Sequence, residues 1–212
     1  NKPFGMILVT GPTGSGKSTT LYSVLSQLNT AQINIITIED PVEYQVEGIT
    51  QIQVKPEIGL DFVSGLRSLL RQSPDVIMIG EIRDSETADI AVKASLTGQL
   101  VFSTLHTNDA LSSITRLIDM GIEPFLVASS IIMLCAQRLC RRICLKCRQP
   151  VDIPDKFLES IGFKEKVTFY AASGCKYCNN TGFYGRIALL EAIMLNDVIR
   201  EMIMKRTTID EI

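Results

Sequence analysis

Short apolar runs alternate with stretches of helical periodicity along the first part of the chain. Gly5 to Thr10 (GMILVT) is an unbroken apolar run and predicts a strand, whereas Lys17 to Leu28 carries Leu21, Val24, Leu25 and Leu28, spaced to line one face of a helix. The β-branched run Ile33 to Ile38 (INIITI) predicts a strand covered on both faces, as in a parallel sheet. Gly48 to Val54 alternates imperfectly and reads as a short strand or hairpin outside the main sheet. A helix is expected over Asp61 to Gln72, with Asp61 as N-cap, Phe62, Leu66, Leu69 and Leu70 facing inward, and Ser73 and Pro74 as its stop. Asp75 to Ile82 (DVIMIGEI) predicts a third buried strand, leading into a helix from about Ser85 to Leu96 that closes at Gly98. Leu100 to Leu105 is a fourth strand. Two helices follow, Ala110 to Met120 and Pro124 to Leu139, the second with proline in its first turn.

From Arg141 the pattern changes to cysteines, short basic runs, a small helix around Asp155 to Ile161 and glycine-rich turns. An apolar strand resumes at Arg186 to Met194, and Asn196 caps a last amphipathic helix with Val198, Ile199, Met202 and Ile203 on one face. The expected organisation is a core over residues 1–140, an appendage over 141–185, and a return to the core over 186–212. The closing residues TTIDEI read as a capping box at Thr208 and Glu211 opening a helix that is cut off, so an excised or partial chain is expected.

Alternating strands and helices describe an α/β fold with a mostly parallel sheet of the nucleotide-binding kind. Ligands of such sheets bind at the carboxyl ends of the strands. The cluster Glu39, Asp40 and Glu43, then Glu81, and then His106, the chain's one histidine, all fall at that edge. Composition is consistent with a folded protein: 212 residues with 46% hydrophobic content can bury a core. A net charge of -2 argues mildly against a nucleic-acid gripper. The longest apolar run, Phe125 to Ala136, is shorter than the roughly 20 residues a membrane span needs, and no secretory signal opens the chain, so a soluble cytoplasmic protein is expected.

Between the first strand and first helix lies GPTGSGKS, Gly11 to Ser18, a complete G-x-x-x-x-G-K-[ST] phosphate loop in its proper context. Gly11, Gly14 and Gly16 allow positive φ, so that N–H groups from about Gly14 to Thr19 turn toward an anion. Thr13 and Ser15 complete the cradle. Lys17 supplies charge near the β and γ phosphates, Ser18 a hydroxyl for Mg²⁺, and Thr19 continues into a helix whose dipole points at the same place. Phosphate-loop hydrolases commonly place an aspartate at the end of a second apolar strand to hold Mg²⁺. Here that position is Gly80. Glu81 is then the candidate catalytic base, with pairing to Arg83 as the plainer alternative.

Cys144-x-x-Cys147 and Cys175-x-x-Cys178 form two knuckles separated by 27 residues. In a reducing compartment four thiolates so arranged favour structural Zn²⁺, with disulfides or core cysteines as the alternative. Cys135 and Cys140 read as packing residues.

Leu70 to Asp84, LRQSPDVIMIGEIRD, resembles the signature of the bacterial secretion ATPase superfamily, which includes type II secretion protein E and the type IV pilus motors. GPTGSGKSTTLY resembles its Walker A segment, IITIEDPVEY its aspartate box, STLHTNDA its histidine box, and AQRL at Ala136 to Leu139 matches as well. Gln99 departs from the pattern, since many relatives carry histidine there. The resemblance implies a RecA-like P-loop core flanked by helices, with a small tetracysteine zinc subdomain of the kind in secretion and pilus-extension motors. It also implies that Glu39 and Glu81 position or activate water near Mg²⁺, that Asp40 and Glu43 support them, and that His106 reports on the γ phosphate or orients Glu81. Arg83 would neutralise the aspartate box or reach phosphate, while Arg67, Arg71 and Arg116 are weaker candidates.

The function so implied is an ATP-hydrolysing motor for pseudopilus or pilus assembly. It would be a cytoplasmic homo-hexamer in its full-length form, peripheral to the inner membrane through platform proteins, with no nucleic-acid partner. The alternatives are a nucleotide-dependent, zinc-containing nucleic-acid-binding protein and a non-hydrolysing ATP-binding scaffold.

Overall fold

The computed structural model describes residues 4–163 and 167–207. The expected capping box at Thr208 and Glu211 lies outside them. The elements run β1 (Gly5–Thr10), α1 (Lys17–Leu28), β2 (Ile35–Glu39), β3 (Thr50–Gln53), α2 (Phe62–Leu69), β4 (Val76–Ile79), α3 (Ser85–Leu96), β5 (Leu100–Leu105), α4 (Ser112–Asp119), α5 (Pro124–Ser130), β6 (Ile131–Ile143), β7 (Arg148–Val151), α6 (Asp155–Ser160), β8 (Phe169–Ala172), β9 (Phe183–Met194) and α7 (Asp197–Met204). The chain divides into two compact units, Asn1–Arg138 with Leu190–Ile212, and Leu139–Leu189. It leaves the first unit along β6 and returns along β9.

The fold is α/β. The large sheet has the order β3-β2-β4-β5-β1-β6-β9. From β3 to β6 every neighbouring pair is parallel. β1, β2, β4 and β5 are almost wholly buried, which is why their sequences read as continuous apolar runs. Two clusters of side chains cover the sheet. The larger gathers Met6, Ile38, Leu66, Ile77, Val101 and Leu134 with the helices α2, α3, α4 and α5, and the smaller gathers Val9, Leu21, Tyr22, Leu25 and Phe102 with α1.

Local signals act where the sequence places them. The Asp61 carboxylate accepts a hydrogen bond from the Ser64 N–H at 2.8 Å, and the Asp61 backbone N–H donates to the Ser64 hydroxyl oxygen at 3.1 Å, closing a capping box on α2. Asn196 caps α7 through Ile199 N–H at 2.9 Å.

Two expectations fail. The segment around Thr50–Gln53 is not outside the main sheet: it is the edge strand β3, parallel to β2 with Ile38 opposite Ile52. The expected helix from Pro124 to Leu139 stops at Ser130, and Ile131 begins the long strand β6, paired in parallel with β1. An apolar run buried on all sides carries no period to separate helix from strand, and the open slot beside β1 decides the matter. Cys135 therefore packs on a strand, in the smaller cluster, whereas Cys140 is exposed and does not pack. Among the described residues no helix is long and apolar enough to cross a membrane.

The second unit has almost no core of its own. Among its described residues only Cys144, Cys178 and Gly182 are buried. Its two-stranded sheet pairs β7 and β8 in antiparallel fashion, Arg148 opposite Ala172.

Candidate functional site

β1 lies between β5 and β6, and its carboxyl end delivers the chain into the loop Gly11 to Gly16. Gly11, Gly14 and Gly16 have φ of 138°, 77° and 86°, values an L side chain rarely adopts. At Gly11 space forbids a side chain too, since a Cβ would lie 2.3 Å from the carbonyl oxygen of Gln137 on β6. α1 begins at Lys17 with no side-chain cap and no acidic residue in its first turn, so its leading N–H groups are left for an external acceptor. Ser18 and Thr19 are exposed, Thr13 and Gly14 likewise, while Ser15 and Lys17 are buried.

Lys17 Nζ donates to the Gly11 carbonyl at 2.9 Å and the Pro12 carbonyl at 3.2 Å. Burial lowers its pKa below that of an ordinary lysine, while the opposing charge of Glu81 works to raise it. A cation held only by carbonyls can exchange them for phosphate oxygens. Ser15 Oγ is buried without a hydrogen-bond partner inside the same loop.

Gln137 is the residue that sequence reasoning missed. It is 2% exposed, donates from Nε2 to the Ser15 carbonyl at 2.7 Å, and accepts from the Thr20 hydroxyl at 2.8 Å. One side chain thus clamps the loop and the first turn of α1 to β6. The available signal was a lone amide ending an apolar run.

Glu81, His106 and Arg83 come together at the carboxyl ends of β4 and β5. Arg83 donates to Glu81 and stands 3.7 Å from Asp40, and His106 Nε2 is 3.3 Å from the other Glu81 oxygen. The Arg83 guanidinium, and His106 after it, hold Glu81 below the usual carboxylate range although partial burial pushes the other way. Glu81 is therefore an ionised acceptor at neutral pH. The plainer expectation of a pairing with Arg83 is met, and it leaves the oxygen beside His106 at the rim.

Glu39 has a different environment. It is 4% exposed and accepts from the Tyr22 hydroxyl, the Thr37 hydroxyl at 2.5 Å and Gln51 Nε2 at 3.3 Å. Burial first, and then this hydrogen bond, raise the Tyr22 pKa, so the phenol stays protonated and donating. Glu39 thus joins α1, β2 and β3, with no hydrogen bond or ion pair to Glu81. Glu43 meets this group through its backbone N–H, donated to Tyr22 at 3.3 Å.

In the second unit the thiol sulfurs of Cys144, Cys147, Cys175 and Cys178 lie within 4.8 Å of one another. Three of the separations are 3.9 Å for Cys144 to Cys175, 3.9 Å for Cys147 to Cys178 and 3.7 Å for Cys175 to Cys178. Zn–S bonds of about 2.3 Å at tetrahedral angles place sulfurs about 3.8 Å apart, so the set fits Zn²⁺. Disulfides are excluded by the same distances, since a bonded pair lies at about 2.05 Å. In a unit whose buried residues, among those described, are two of these cysteines and a glycine, a bound metal would supply the cohesion a core otherwise does. Chelation is accordingly expected to release about one equivalent of zinc and to raise amide exchange across residues 139–189, with the first unit still protected. Fresh protein with less than about half an equivalent, or exchange unchanged after chelation, contradicts this assignment.

Comparison with known proteins finds the same pattern of likeness over the whole chain. Residues 1–212 match the model of the type II/IV secretion system protein family. Type II secretion system protein E of Dickeya dadantii is 55% identical over 96% of this chain and 41% of its own length. The type IV pilus assembly ATPase PilB of Myxococcus xanthus is 51% identical over 100% of this chain and 38% of its own. Among solved structures, the pilus retraction motor PilT with bound ADP superposes with a TM-score of 0.72 at 33% identity, over 96% of this chain and 51% of that one. The chain thus spans about two fifths of the length of the curated relatives it matches.

Proposed function

Because the chain belongs to the type II/IV secretion system protein family, we propose that it is the nucleotide-hydrolysing part of a motor that drives type II secretion or type IV pilus assembly. The observation that carries this reading is the phosphate loop at the end of β1, with Lys17 buried on the Gly11 and Pro12 carbonyls, at the same strand-end edge of the sheet as Glu81 held between Arg83 and His106. Lys17 and the N–H groups from Gly14 to Thr19 hold the triphosphate. Glu81 accepts a hydrogen bond from the attacking water and takes its proton, and His106 holds the second Glu81 oxygen in place. Glu39 acts through Tyr22, keeping the start of α1 aligned with the rim. The exposed Ser18 hydroxyl fits Mg²⁺ as a hard oxygen ligand, and that ion supplies charge neutralisation between phosphates.

In the full-length protein this unit works within a homo-hexamer, on the cytoplasmic side and bound to the inner membrane through platform proteins, with no nucleic-acid partner. The four-cysteine unit binds Zn²⁺ as a structural ion. Phosphate release from Mg²⁺-ATP by the full-length protein tests the reading. Turnover is the expected result, and ATP binding with no phosphate released contradicts it in favour of a scaffold.

A further inference from the structure

The formal charge of the chain is unevenly divided. Residues 139–189 hold nine Lys and Arg against four Asp and Glu, a charge of +5, while the remaining residues hold twelve against nineteen, a charge of -7. Zinc on four thiolates removes two charges and leaves the second unit at +3. Within the unit the excess charge is localised. Arg141, Arg142, Lys146, Arg148 and Lys176 all lie within three residues of a ligand cysteine, and Arg186 lies on β9, which neighbours β6 in the sheet. The acidic residues Asp152, Asp155, Glu159 and Glu165 all lie in the stretch between the knuckles, where Lys156, Lys164 and Lys166 largely offset them, so the excess positive charge is that of the six residues near the cysteines and on β9.

These six cations are exposed. Among the described residues every ion pair lies in the first unit, so none of the six has an acidic partner there. Two are held in place by rings instead. The Arg141 guanidinium sits 4.0 Å over the Phe183 ring, and that of Arg148 sits 4.5 Å over Tyr170. A guanidinium parked on an aromatic face has lost part of its rotamer freedom and keeps its N–H fork free, which favours bidentate pairing with carboxylates.

We propose that the cationic surface around the four cysteines is a docking site for an acidic segment of a partner protein. Charge complementarity selects the occupant. A short acidic peptide engages the second unit alone, which carries +3 with zinc bound, within about one Debye length. Single-stranded nucleic acid would stack on open aromatic faces; Phe183 and Tyr170 each already carry an arginine, while Tyr177 and Tyr184 meet at 4.3 Å, tilted by 39° and about half exposed, so nucleic acid is the competitor to be separated by experiment. The surface also sits beside the metal site, so the zinc that fixes the knuckles fixes the spacing of the arginines.

The test uses the full chain and a fluorescein-labelled Glu-Ser repeat peptide of about twelve residues, with anisotropy read at about 50 and 150 mM salt. Binding is expected, weaker at the higher salt, and weakened at least about tenfold by the combined change Arg141→Gln, Arg142→Gln and Arg148→Gln. Neutralising Arg67, Lys93 and Lys205 of the first unit should change it less than about twofold. Zinc content is read for each variant. If the arginine variant loses zinc, Lys146→Gln with Lys176→Gln serves in its place, because that pair leaves both ring contacts intact, and a loss of about threefold or more is expected. No peptide binding, or equal binding by the variants of the two units, overturns the proposal. So does tighter binding of phosphatidylglycerol vesicles or of a single-stranded DNA oligomer than of the peptide.

Discussion

Glu81→Gln is expected to lower the rate of phosphate release by about 10²–10⁴-fold, the range for loss of a positioned general base, while ATP affinity is kept or rises. The reason lies in the charge. The amide matches the carboxylate in size and can still take the Arg83 hydrogen bond through its oxygen, so the rim keeps its shape. What disappears is the ability to take a proton and a negative charge opposite Lys17, one that also opposes the triphosphate. A merely structural Glu81 gives the other pattern, with turnover changing only in step with stability.

Lys17→Ala is the second large effect. A charge-assisted hydrogen bond is worth about 1.5–3 kcal/mol, so ATP affinity should fall by about 10–150-fold in calorimetry. The free enzyme sets the baseline, because Lys17 already donates to the Gly11 and Pro12 carbonyls and gives these up on binding phosphate. Alanine leaves both carbonyls without that donor, so the melting temperature should be followed in parallel. Unchanged ATP affinity removes Lys17 from the binding site.

Much of this site could be read from residue order alone because its chemistry is local. Positive φ at Gly11, Gly14 and Gly16 follows from the loop pattern, and the place of Glu81 at the strand-end rim follows from the strand that ends at Ile79. The caps Asp61 and Asn196 are likewise local. Residues whose partners are distant in sequence were not legible. Gln137 reaches Ser15 across 122 positions, and nothing in AQRL indicates that its amide faces a phosphate loop. Glu39 reads as a water-activating acid by resemblance, and its hydrogen bonds to Tyr22 on α1 and Gln51 on β3 could not be read from residue order. β6 was missed for the same reason: Ile131 to Ala136 is a strand because β1 presents an open edge, a fact held elsewhere in the chain.

The central claim is that Lys17 and Glu81 face one another across the γ phosphate of a bound nucleotide. A crystal structure of the protein with Mg²⁺ and a non-hydrolysable ATP analogue tests it most directly. The account predicts Lys17 Nζ within about 3 Å of a β or γ phosphate oxygen and away from the Gly11 and Pro12 carbonyls, with Glu81 one water from the γ phosphorus. A nucleotide bound in the loop with Lys17 still on those carbonyls, or with Glu81 turned away and no water between it and the γ phosphate, contradicts it.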